Sequence, residues 1–392
     1  MTAVEFPSEL VTRARQLSLP SAGFDESFFD AVIRLHAEEI VAAFVDDFSD
    51  RLDGADRRLL EAIRPPWDAV PTRAVWDPAI GAAERLLESG EGDPETVAAL
   101  IGLRLAEAGS PGAWSASFSQ ELTPRFGRWL LSRCDRIEIE SDGRSARIET
   151  GIDGRTTTFT LTALDGAWAT DGADELVPIP GSSALRLLPE SAVREQLAIE
   201  DEFHSVVGFP GPSAELAGVF GDAMSLMKAS APDYHAWVAR ILRALVPCEC
   251  EGSRTRSSSW REAPGVILIS TAPWSPEVAE MLVHESCHQY LYLAKRLGDL
   301  VTGTDRELYY SPAVDRPRPL DRVLLAYHAF GNVLLLYEEL RRNDAAAMRP
   351  LDDTIAKMRA DVDVLEAPLR ENEGLSPIGR ALAEPLIECL HA

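Results

Sequence analysis

One stretch governs what this chain can fold into: residues 275–298, Ser-Pro-Glu-Val-Ala-Glu-Met-Leu-Val-His-Glu-Ser-Cys-His-Gln-Tyr-Leu-Tyr-Leu-Ala-Lys-Arg-Leu-Gly. Ser275 suits a helix N-cap, Pro276 the first helical position, and Glu277 the positive end of the helix dipole. Lys295 and Arg296 fall in the last turn, and Gly298 can take the left-handed position beyond it. These signals bracket one helix of about six turns. It carries His284, Glu285 and His288, an HExxH motif. The i, i+4 spacing stacks both imidazoles on one face, where they can reach one metal ion. Glu285 points beside that pair, within reach of a metal-bound water. Val283, Leu291 and Leu293 set the motif in the middle of a partly buried helix, not in a loop.

With 392 residues the chain can hold two or three domains, or one large one. An apolar fraction of 46% beside 26% charged residues predicts a soluble globular protein. A formal net charge of −25 disfavours nucleic acid and anionic membranes as partners. No apolar run approaches a bilayer span, and the first ten residues lack the basic and apolar parts of a signal peptide. Five scattered Cys argue against a disulfide framework. The cytoplasm is therefore the expected compartment. Cys248 and Cys250 lack a second pair and read as structural, and Cys287 faces away from the motif's metal side.

The pattern along the chain predicts an α+β protein. Residues 1–133 read as a helical region, with helical spacing over 28–48, 57–63 and 94–108, and a further helix at 115–131, whole or broken at Pro124. Residues 134–178 read as a small antiparallel β-meander, its strands separated by Asp142-Gly143, Asp153-Gly154 and Asp165-Gly166. Residues 179–392 form the metal-bearing domain. It has helices near 190–200, 213–229 and 233–246, then a short strand at 266–270 ahead of the motif helix. His36, His204 and His235 each stand alone and read as packing or surface residues.

Two imidazoles do not complete a site, which needs a third protein ligand and an open position. The helix predicted over 321–342 supplies the candidate. Leu324, His328, Gly331, Leu335 and Glu338 share one of its faces, and Gly331 implies close approach by another element. Packing of that face on the motif helix would bring His328 to the metal. Glu338 and Glu339 are the alternatives.

A strand, a short loop and then an HExxH helix is an order that resembles the zincin metallopeptidases, in which the strand borders the cleft and pairs with an extended peptide. Residues 266–270 would be that strand. The strings VHESCHQYLY and YYSPAVDRPRPLDRVLLAYHAFGNVLLLYEEL, with Leu375-Ser376-Pro377-Ile378-Gly379 beyond them, resemble a more particular family. This is the HExxH-motif peptide-modifying proteins that accompany ribosomally made, post-translationally modified peptides. It is similar in fold to the gluzincins, and the resemblance spans roughly residues 200–390. It implies a zincin-like domain and an iron- and 2-oxoglutarate-dependent β-hydroxylase acting on a precursor peptide. His284, His288 and His328 would hold Fe(II). Arg318 or Arg316 would bind the distal carboxylate of 2-oxoglutarate, with Arg254 and Arg256 as further candidates. Tyr309 and Tyr310 could donate hydrogen bonds inside the site. Glu285 would then be an outer-shell residue. The alternative is a Zn(II) metallopeptidase on the same ligands, with Glu285 as general base. A binding module with a non-catalytic metal helix is the third reading, and no sequence feature speaks for it.

Overall fold

Residues 8–20, 23–48, 50–51, 70–164, 167–170, 172–194, 206–250, 252, 255–303, 307–344, 348–370 and 372–392 are described by the computed structural model. The segment expected to be helical at 57–63, His204 and Arg254 lie outside these residues, as does most of 190–200. What is described of that last segment is a single 3-10 turn at Glu190–Ala192.

Helix α1 (Ser8–Ala14) and a 3-10 turn at Arg15–Leu17 open the chain. Phe29, Ile33, Ala37, Val41, Phe44 and Phe48, three to four residues apart, form the buried stripe of α2 (Glu26–Phe48). After the short α3 (Thr72–Val75), α4 (Pro78–Ser89) and α5 (Pro94–Glu107) begin alike, with an Asp N-cap before a proline. Asp77 accepts from the Ala79 amide at 3.0 Å, and Asp93 from the Thr96 amide at 3.2 Å. Gly90 ends α4 at φ 70°, a conformation that favours glycine.

The helix expected at 115–131 is not formed. Strand β1 (Pro111–Leu122) occupies its first half and pairs antiparallel with β4 (Cys134–Asp142), from Pro111↔Asp142 to Ser117↔Arg136. The reason is a period of two: Ala116 and Phe118 are buried while Ser117 between them is exposed. Short strands β2 (Arg125–Phe126) and β3 (Trp129–Leu130) intervene. The meander continues through β5 (Ser145–Ile152), β6 (Arg155–Leu164) and β7 (Ala167–Thr170), giving the order β1-β4-β5-β6-β7. The helical region thus ends at Glu107 and the sheet begins at Pro111, ahead of the expected boundary. Strand β8 (Asp174–Glu175) pairs with β3, and β9 (Arg186–Leu187) leads into the remainder.

That remainder runs β10 (Val206–Gly208), α6 (Ala214–Ser230), α7 (Pro232–Ile241), β11 (Ala244–Cys250), β12 (Ser257–Ser259), β13 (Val266–Ser270) and the motif helix α8 (Ser275–Ala294). A hairpin of β14 (Tyr309–Ser311) and β15 (Arg316–Arg318) precedes α9 (Leu320–Asn343), α10 (Asp352–Arg370) and α11 (Pro377–Leu390). The sheet order is β10-β11-β13-β12, with β11 and β13 parallel and β12 antiparallel to β13. All five residues of β13 are buried and both of its edges are paired. The sheet's edge on this side is therefore β12, not residues 266–270.

One buried core joins the N-terminal helices to the motif helix. Tyr290 of α8 stacks on Trp237 of α7 at 3.9 Å between ring centroids and meets Phe29 of α2 at 6.0 Å. A buried charge cluster does the same on another side. Glu84 of α4 is 2% exposed and holds Arg296, just past α8, through paired bonds, one of them at 2.6 Å. His36 of α2 lies 3.8 Å from the same carboxylate. Burial, with the charges of Arg296 and Arg261 beside it, pushes the His36 pKa down from 6.5 to about 3. Glu84 is already committed to the guanidinium groups, so it does not hold a proton on the ring.

Folding stability should depend on pH through that ring. Above pH 6.5 His36 is neutral folded and unfolded and contributes no pH dependence. Below pH 6.5 the unfolded chain takes up a proton that the folded one refuses until about pH 3, so stability falls as pH drops. The loss is about 2 kcal/mol by pH 5 and up to about 5 kcal/mol at the lower end. Urea unfolding of wild type and His36→Gln at pH 7 and pH 5 checks this. The difference between the two proteins should shift by about 2 kcal/mol, and equal pH slopes would refute it.

Candidate metal centre

Helix α8 runs from Ser275 to Ala294 with Pro276 in its first turn, but Trp274 takes the N-cap position expected of Ser275, and Lys295 and Arg296 fall at and just past its end and not in its last turn. Its inner side is fixed by buried Val278, Leu282, Tyr290 and Leu293. This leaves His284 and His288 half-buried on the opposite face. Their rings meet edge to face, 4.6 Å between centroids at 84°. Ligand atoms of His284, Glu285 and His288 all lie within 4.8 Å of one another. Burial, reinforced by the charges of His284, His328 and Arg322, holds the His288 pKa well below its usual value. The ring is thus neutral near pH 7, the form that donates a lone pair to a metal. Its Nδ1 is buried with no hydrogen-bond partner among the described residues, an orphan of the kind a coordinated ion or its surroundings would satisfy. The donor set fits a divalent metal, since imidazole suits zinc and iron alike.

Glu285 is 2% exposed and bound on both oxygens. Ser257 donates to Oε1 at 2.7 Å and Ser259 to Oε2 at 2.6 Å. Both serines stand on β12, two residues apart and so on one face of the strand. Nothing in their sequence pattern except that spacing marked them.

His328 does not join the cluster. It is fully buried, but its Nε2–H donates to the carbonyls of Ser18 at 2.7 Å and Leu17 at 3.1 Å. Burial pushes its pKa down to about 4 despite those carbonyls. Gly331 does mark a close approach, yet its partner is α11: a Cβ there would meet Leu386 at 2.8 Å. The face of α9 that carries His328 and Gly331 is thus taken by the N-terminal turn and α11. Arg322, Leu325, Ala326 and Phe330 form the face of α9 that lines the cavity with His284 and His288. Glu338 pairs with Arg359 instead, and Glu339 is not among the residues clustered at the metal position.

That cavity, about 340 Å³, also contains Arg318. Arg318 Nε is buried without a hydrogen-bond partner, and no carboxylate pairs with the guanidinium among the described residues. Arg316 is exposed and does not line the cavity. Arg322, four residues after Arg318 and in the first turn of α9, was not anticipated from the sequence. Tyr309 and Tyr310 turn elsewhere: Tyr309 accepts from Asn372 at 2.8 Å, and Tyr310 donates to Asp315 at 2.7 Å. Beyond His284 and Phe330 lies a second cavity of about 370 Å³, where Glu277, Glu280, Glu285 and Asp361 outnumber Arg256 and Lys357. Phe330 packs on His284 at 5.7 Å and stands between the two spaces. Tyr337 donates to Glu280, whose pKa burial raises.

Among the described residues no helix is long and apolar enough to cross a membrane. Comparison of the chain with protein-family models and with curated proteins finds no match.

Proposed function

We propose that this protein is an iron- and 2-oxoglutarate-dependent hydroxylase that modifies the β-carbon of a residue in a ribosomally made peptide, on a zincin-like metal domain. The observation that carries the reading is Arg318, a guanidinium without a carboxylate partner among the described residues, in one cavity with His284 and His288. A partly buried cation beside two imidazoles is costly unless an anion joins it. The distal carboxylate of 2-oxoglutarate is such an anion, and an Arg can grip it through two parallel bonds. Bound Fe(II) with 2-oxoglutarate would supply activation of dioxygen, one oxygen atom entering the substrate C–H bond and the other the succinate formed as carbon dioxide leaves.

The chain's own residues divide the remaining work. His284 and His288 would hold the metal, and Arg318, assisted by Arg322, would orient the co-substrate. The second cavity, beyond Phe330, leaves separate space for the peptide, which would extend along the edge of β12 that no strand pairs among the described residues. Two organic substrates call for two chambers. A zinc peptidase is the second reading, supported by the place of Glu285 in the cluster, where it could serve as general base. It leaves Arg318 without a role.

Addition of 2-oxoglutarate to Fe(II)-loaded protein under nitrogen should produce a charge-transfer absorption band. Admission of air should then yield succinate. Absence of both, with peptide cleavage that disappears in Glu285→Gln, would replace this reading with the peptidase.

A further inference from the structure

Ser257 and Ser259 sit where neither the motif nor the metal demands a serine, and both hydroxyls end on one carboxylate. We infer that they are positioning residues: they clamp Glu285 so that its carboxylate faces the metal position without closing onto it. This rests on the reading of His284 and His288 as metal ligands. The backbone carrying the clamp is itself anchored at both ends. The Arg256 amide donates to Ser270 Oγ at 2.7 Å, and the Ser270 amide donates to the Arg256 carbonyl at 2.8 Å. Ser257 and Ser259 lie opposite Ile269 and Ile267 of β13. At the far end the Gly265 amide donates to Gln289 Oε1 at 3.0 Å, tying the segment back to α8 itself. The hydroxyls therefore have a fixed place relative to the helix that carries Glu285.

An ionised carboxylate is an acceptor only, and its lone pairs are shared among whatever donors or cations reach it. Two hydroxyl bonds of 2.6–2.7 Å are in the charge-assisted range, on opposite oxygens, and fix the plane of the group. A metal ion held by His284 and His288 would compete for the same lone pairs. The clamp decides that competition against direct ligation, which keeps coordination positions open for what the enzyme binds.

Co(II) alone is the probe, titrated into metal-free full-length protein and followed by affinity and by its visible absorption. In Ser257→Ala/Ser259→Ala the freed carboxylate should close onto the metal. Affinity should rise at least tenfold, since one charge-assisted bond alone corresponds to about ten- to a hundredfold, and the absorption band should change. Ser257→Thr/Ser259→Thr keeps both hydroxyls and should match wild type, which also guards against a variant that fails to fold. In a Glu285→Gln background the same alanine pair should move affinity less than twofold, because the carboxylate they act through is gone. Equal affinity and spectrum in the alanine pair would overturn the clamp, as would an equal change in the Glu285→Gln background. Wild-type protein that takes up no Co(II) would overturn the metal reading beneath it.

Discussion

Replacing either motif histidine with alanine should remove metal binding, and replacing His328 should not. Zn(II) titrated into metal-free His284→Ala or His288→Ala should bind more than about a hundredfold more weakly than to wild type, since changes in the outer shell alone cost about 10–100-fold. His328→Ala should bind the ion within about twofold of wild type. Its defect should instead be in stability. The Leu17 carbonyl would lose its bond and the Ser18 carbonyl one of two, the other coming from Asn332 at 2.9 Å. A small cavity would open in a fully buried place, and about 2–4 kcal/mol is expected in total. Urea unfolding beside calorimetric titration separates the two effects. A loss of metal in His328→Ala as deep as in His284→Ala would restore a three-histidine site.

Much of the metal helix was legible because its signals are local. The Pro276 start and the four-residue spacing of the histidines both act within one helix. The Asp-Gly turns of the meander are equally local, and Gly143 and Gly154 take φ values of 87° and 73°. His328 was misplaced for the opposite reason. The sequence shows that Gly331 needs a neighbour, but not whether that neighbour is α8 or Leu386, 55 residues further along. Once α11 covers that face, His328 is turned toward the N-terminal turn, whose Ser18 hydroxyl donates to the Leu382 carbonyl at 2.5 Å. The N-terminal region is thereby packed into the part that carries the motif helix, which no helical period could reveal.

The strands went astray through composition. In Ser115-Ala116-Ser117-Phe118-Ser119 the one alanine favours helix and the phenylalanine strand, so pairing with β4 decides the outcome. Ser257–Ser259 has no apolar alternation at all. It is a strand because β13 offers it an edge and Glu285 accepts its hydroxyls. Arg318 was legible as a cation near the second helix. Its separation from Arg316 was not, because only the fold of the β14–β15 hairpin puts one at the cavity and leaves the other exposed.

That separation gives the sharpest comparison between the two enzyme readings. For a hydroxylase, Arg318→Ala should weaken 2-oxoglutarate binding by about ten- to a hundredfold, the equivalent of a charge-assisted bond of about 1.5–3 kcal/mol. Fe(II) affinity should stay within about twofold, because no hydrogen bond joins Arg318 to His284, Glu285 or His288 among the described residues. Arg316→Ala is the matched control: a nearby positive charge is lost from an exposed position, so 2-oxoglutarate should bind as in wild type. Titration of 2-oxoglutarate into the Fe(II)-loaded proteins under nitrogen, read by the charge-transfer band, orders the three. A peptidase would respond differently, with hydrolysis falling about 10²–10⁴-fold in Glu285→Gln and little affected in Arg318→Ala. An unchanged band in Arg318→Ala would pass the carboxylate to Arg322, the other cation of that cavity. Unchanged bands in both single variants and in the double variant would mean that the cavity does not hold the co-substrate.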